Sequence, residues 1–187
     1  MRFSYARSAL VLLGLIASVA LVARASAQQA GHTYAQRVHT ASTRLSAGDR
    51  GGAAEALREA IQHDPARAEG ICLLAEVQRV SGDLFAALDG FNACLRQARA
   101  GHDAHWEARA LHGIASTLER MPERASDARG AWQDFVTFAD AHAALADPQV
   151  GRARIAAIDA AVETERVSAE VRARIAERER VATAGAR

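Results

Sequence analysis

The most reactive side chains in this chain of 187 residues are two cysteines and seven histidines. Cys72 and Cys94 flank a Gly82-Asp83 turn signal, and their residue numbers add to the same total as those of Ala75 and Phe91. If the two flanking segments run antiparallel, equal totals mean equal height, so the two thiols are level. A disulfide needs their Cα atoms within about 7 Å, and an oxidising compartment favours one. Cys94 points at the contact between the segments, whereas the direction of Cys72 is not fixed by this count. A disulfide and a pair of buried free thiols therefore both remain open.

The histidines carry a weaker signal. His102-Asp103-Ala104-His105 groups two imidazoles and a carboxylate, all ligands that suit zinc. Asp103 is also well placed to cap a helix, so a metal site at His102 and His105 is the lesser reading. His112 reads as a polar contact and not as a base. No Ser-His-Asp order, glycine-rich phosphate loop or paired-carboxylate pocket stands out. The expectation is a non-catalytic protein with no cofactor and no metal.

The elements that must hold these residues are helices. Ala, Leu, Arg and Glu dominate after Thr33, and all are strong helix formers. No stretch alternates as a half-buried strand does. Asp64-Pro65 and Asp147-Pro148 read as helix starts, with Asp at the cap and Pro in the first turn. Ala41, Gly48, Ala53, Leu57 and Ala60 then return 34 positions later as Ala75, Gly82, Ala87, Phe91 and Cys94. Helices over 34–45 and 51–63, turning at Gly48-Asp49, would meet at Ala41 and Ala53. Small residues there let two helix axes approach. A second pair follows over 68–80 and 84–98, with Ile71, Leu74 and Ala75 on its inward stripe.

These residues resemble the tetratricopeptide repeat (TPR) motif. The family's helix-A aromatic is replaced by Arg44 and Gln78, and the closing Pro of the second unit by Arg99. A third, irregular unit has Leu111, Ile114, Ala115 and Leu118 on one stripe and Ala128, Trp132 and Phe135 on the other. The segment 102–107 is an insertion in it, and 121–127 a longer turn. Asp147-Pro148 opens a last region with stripes Val150, Ile155, Ile158, Val162 and Val167, Val171, Ile175, out of step near 163–166. That implies two helices or one whose stripe changes partners. The resemblance implies an all-α fold: a short right-handed solenoid of antiparallel helical hairpins, about three units long, with C-terminal capping helix or helices. The expected organisation is a signal peptide at 1–27, a flexible stretch at 28–33 and TPR-like repeats at 34–146. A capping, charged helix at 147–180 and a disordered tail at 181–187 complete it.

In this family the inner groove is lined by helix-A residues facing away from the hairpin contact. The resemblance therefore implies Ala35, Val38, Ser42 and Leu45 in the first unit and Glu69, Cys72, Glu76 and Arg79 in the second. Arg109, His112, Ser116 and Glu119 follow in the third. Family members that grip a C-terminal carboxylate do so with Lys, Arg and Asn, but Val38 and Ser42 stand where that clamp would begin. An extended or helical protein segment is the expected occupant.

Arg2 and Arg7, an apolar run over 9–23 and Ala25-Ser26-Ala27 together read as a secretory signal peptide cleaved near Ala27. An uncleaved anchor is the alternative, and membrane contact is expected only through it. Cleavage removes Arg2, Arg7 and Arg24 and leaves 20 arginines against 22 acidic residues. That balance disfavours nucleic acid as a partner. Every basic residue is Arg, which with the abundant Ala reads as GC-rich bacterial coding. The expected protein is an exported scaffold of a bacterial periplasm or envelope. The alternatives are an accessory or regulatory subunit of an envelope enzyme, or a metal-binding helical protein. The Arg/Glu-rich segment 170–180 reads as a solvated helix, with a weak dimer through it as the alternative.

Overall fold

The computed structural model describes residues 32–185, and among them there is no strand. The described part of α1 spans 32–46. It is followed by α2 (Arg50–His63), α3 (Ala68–Ser81), α4 (Leu84–Ala100), α5 (Ala104–Leu118), α6 (Ala125–Ala141) and α7 (Pro148–Gly185). A 3-10 turn, Pro122–Arg124, precedes α6. The segment 1–27, expected to be a signal peptide, lies outside the described residues. Of the stretch 28–33 expected to be flexible, the described residues 32–33 are helical. No described helix is long and apolar enough to cross a membrane.

Aspartates start α2, α4 and α5. The carboxylates of Asp49, Asp83 and Asp103 accept from the backbone N–H of Gly52, Ala86 and Trp106 at 2.8, 3.2 and 3.2 Å. Each satisfies a donor that the first helical turn would otherwise leave orphaned. Gly48 and Gly82 precede two of these caps at φ 81° and 92°, a left-handed backbone that a residue with Cβ adopts only at a cost of about 1 kcal/mol or more. Asp64-Pro65 does not start a helix as expected, because α3 begins at Ala68. The Asp64 N–H instead closes α2 on the Ala60 carbonyl, and its carboxylate accepts from Arg67 Nε at 2.8 Å. Asp147-Pro148 does open α7, and Asp147 accepts from Gln149 N at 2.8 Å.

Consecutive helices pack on one another in chain order, and α3 also meets α5. The repeating positions form the contacts: Ala41, Ala53, Leu57, Ala60, Ala75, Ala87, Phe91 and Cys94 are all 3 % exposed or less. Ala115, Ala128, Trp132 and Phe135 continue the same pattern, at most 4 % exposed. Missing side chains let the helices close up. A Cβ on Gly90 would lie 2.8 Å from that of Ala75, and one on Gly113 would lie 2.4 Å from the Phe91 ring. A Cβ on Gly151 would reach within 2.5 Å of Val136 Cγ2.

The C-terminal region is a single helix of 38 residues, about 57 Å long at 1.5 Å per residue. Its first part lies along α6, with Gly151 and Ile158 buried and Arg129–Asp159 and Arg152–Asp140 pairs at 2.8 Å. Past Ile158 almost every residue is exposed. The two out-of-step stripes belong to opposite sides of this one helix. At about 100° per residue, Val171 lies roughly half a turn around from Ile155 and Val162. The helix runs to Gly185, through the tail expected to be disordered from 181. Before Gly185 that stretch holds neither Pro nor Gly to stop it, and i,i+3 pairs such as Arg180–Glu177 at 2.8 Å brace it.

A groove lined by α3, α5 and α7

The expected groove residues of α3 and α5 other than Glu69 are brought together. Cys72, Glu76, Arg79, Arg109 and His112 line a depression of about 350 Å³ floored by Phe91, Phe135, Leu145 and Ala146. A second depression, about 410 Å³, continues from it through Arg79 and His112 to Ser116, Glu119, Arg120, Val150 and Arg154. Val38 and Ser42 line a separate depression of about 350 Å³ with Tyr34, Ala35 and Glu69. Leu45, 37 % exposed, is in none of these three.

Charge in the groove is arranged as pairs on a positive background. Glu76 accepts from Arg79 Nε and Nη2 at 2.9 and 2.5 Å, one turn apart on α3. This forked bond raises the Arg79 pKa further above its already high value. Glu119 accepts from Trp132 Nε1 at 3.0 Å and from Arg154 Nη1 at 3.3 Å, so one carboxylate joins α5, α6 and α7. Arg120 donates to the Arg79 carbonyl at 2.6 Å, and the Arg109 guanidinium sits 5.2 Å above the Trp106 ring. Four arginines thus share the two depressions with two glutamates.

His112 stands at the centre. The residue as a whole is exposed, while its ring meets Trp132 and Phe135 edge-on at 5.3 and 5.6 Å. Partial burial, then the charge of Arg79, hold its pKa below the usual imidazole value against the opposing pull of Glu76. At neutral pH the ring is an uncharged donor–acceptor. The groove therefore offers guanidinium donors, an imidazole and an aromatic floor, which are means of recognising a ligand. The Ser116 hydroxyl donates back along its own helix to the Gly113 carbonyl at 3.2 Å.

Cys72 needs a correction as a groove contact. It borders the groove but is 2 % exposed, and its sulfur is bonded to Cys94 with Cα atoms 5.2 Å apart. Three residues before Ala75, it lies only about 60° around the helix from the α3–α4 contact, within reach of Cys94. Both sulfurs lie 3.9 Å from the Trp106 carbonyl oxygen, so α5 covers the bridge. The free-thiol reading is thereby replaced.

Among the described residues no three metal-ligating side chains converge. Asp103 caps α5, His102 sits in the preceding turn at φ 52°, and His105 packs edge-on to Trp106 at 5.2 Å. Sequence reasoning missed Val150 and Arg154, because α7 was read only as a cap.

A further depression of about 490 Å³, lined mainly by apolar residues including Met121, Ile158 and Val162, lies where α7 leaves α6. No protein-family model matches the chain, and no curated protein is significantly similar to it.

Proposed function

We propose that this chain is an exported, non-catalytic TPR-like scaffold that holds a protein or peptide segment in a bacterial cell envelope. In this reading α1–α2, α3–α4 and α5–α6 are three hairpins of a short right-handed solenoid, and α7 closes its end. The segment lies in the inner groove against Arg79, Arg109 and His112.

The observation that carries the proposal is the common burial of positions 34 apart. Ala41 and Ala75, Ala53 and Ala87, Leu57 and Phe91, and Ala60 and Cys94 are all 3 % exposed or less, as equivalent contacts in successive hairpins require. The Cys72–Cys94 bridge favours an oxidising compartment, in keeping with the signal peptide expected from the sequence of residues 1–27. An accessory subunit of an envelope enzyme would use the same groove, so it is a special case of this reading.

The test is site-specific photocrosslinking in cells. A photoreactive residue at Ser116 should capture a discrete partner, and one at Arg96 on α4 should not. Arg79→Ala with Arg109→Ala should reduce capture by about tenfold or more, as expected when charged contacts worth about 1.4 kcal/mol or more are lost. Equal capture from both positions, or none from Ser116, would overturn the proposal.

A further inference from the structure

The outer half of α7 has an unpartnered face and a charge pattern that together specify its occupant. Val167, Val171 and Ile175 are 45, 48 and 50 % exposed, and they recur every four residues on one side of the helix. That side faces away from the stripe that packs on α6. The charges are segregated along the axis. Residues 163–170 carry three glutamates and one arginine, whereas 172–180 carry four arginines and two glutamates. The first half is net −2 and the second net +2, with Val171 at the boundary.

We infer that α7 pairs antiparallel with α7 of a second copy of this chain, about a twofold axis at Val171. In that register Val171 meets its own symmetry mate, and Val167 of each copy meets Ile175 of the other. The acidic half of each helix then lies along the basic half of its mate, and Glu170 of one copy lies on the same side of the seam as Arg174 of the other. A parallel pairing would set like charge against like. The contact is isologous and closes at two copies. Within one chain Glu170 already pairs with Arg166, and Arg172 with Glu165 at 2.6 Å. Pairing adds a second partner to Glu170 without breaking the first. The three apolar side chains per copy make a narrow seam, so the association is concentration-dependent. It uses no groove residue and stands or falls independently of the scaffold reading.

Sedimentation of the full chain over a range of concentrations tests it. The weight-average mass should rise towards that of two chains, and Val171→Glu, which sets two carboxylates together on the axis, should remove the rise. Circular dichroism should show the helix retained, since the site is exposed. The direction is read by cysteine linking, because the chain has no free thiol. Val171→Cys should link to itself. Val167→Cys and Ile175→Cys should each fail to link alone and link when mixed. A mass that does not depend on concentration, or that Val171→Glu leaves unchanged, would overturn the pairing. Self-linking of Val167→Cys would overturn its direction.

Discussion

The indole nitrogen of Trp132 donates to the Glu119 carboxylate at 3.0 Å, the one polar contact of a side chain only 1 % exposed. Glu119→Ala would leave that N–H without its partner and also release Arg154. Denaturant unfolding should show a loss of about 1–3 kcal/mol, with Glu119→Gln recovering most of it through its carbonyl oxygen. A loss from Glu119→Gln as large as that from alanine would place the effect in the Arg154 pair instead.

The Cys72–Cys94 bridge closes a loop with a sequence separation of 22. The chain-entropy argument gives about 3 kcal/mol for a loop of this size. Cys72→Ala with Cys94→Ala should therefore lower Tm by roughly 10 °C in a domain of this length. Calorimetry with and without reductant on the parent chain should give the same difference.

Glycines at the helix contacts and on the surface should respond in opposite ways. Gly113→Ala forces a methyl into the Phe91 ring and Gly151→Ala forces one into Val136, so each should destabilise by about 1–3 kcal/mol. Gly130, exposed in α6, has nothing within 4 Å of an added Cβ. Gly130→Ala should stabilise by about 0.5–1 kcal/mol through helix propensity. Chemical denaturation of the three variants checks all three signs.

Tyr34 is 1 % exposed under the Arg67 guanidinium, and burial, then the charge of Glu69, push its pKa up to about 12. The folded state resists ionising a phenol that the unfolded chain ionises near 10. The resulting stability is complete below pH 10 and is lost as pH rises towards 12. Relative to Tyr34→Phe, the parent should lose about 2–3 kcal/mol across that window. Parallel stability curves for the two proteins would contradict the shift.

The pH response of His112 has the opposite sense. Its depressed pKa makes the folded state prefer the neutral ring, so its contribution is present above about pH 6.5 and falls as pH drops below that. NMR titration of the ring should place its midpoint below that of His112 in the unfolded chain. An anionic segment bound beside Arg79 should raise that midpoint.

The helical contacts were legible because they depend on one residue at a time. A small residue every 34 positions marks where two axes meet, and Ala41, Ala75, Ala53 and Ala87 are all buried as that rule requires. The helix starts were legible wherever Asp follows Gly. Asp64 misled because a carboxylate can cap a helix or pair with Arg67, and only three-dimensional neighbours decide between them. The disulfide was half legible: residue numbering places the sulfurs at one height, but the rotation of Cys72 depends on how far α3 turns towards α4. The fourth wall of the groove was missed because Arg154 acquires its role from Glu119, 35 residues away.

The Cys72–Cys94 bridge also sets how the chain yields under load. Drawn out from its two ends, an array of helices would unravel unit by unit and lengthen with each one lost. The segment inside the bridge, with its sequence separation of 22, would stay looped, withholding about 75 Å of contour at roughly 3.4 Å per residue. Stretched in an oxidising compartment, the protein is thus shorter than its residue count implies, and a reductant would restore the missing length in a single step.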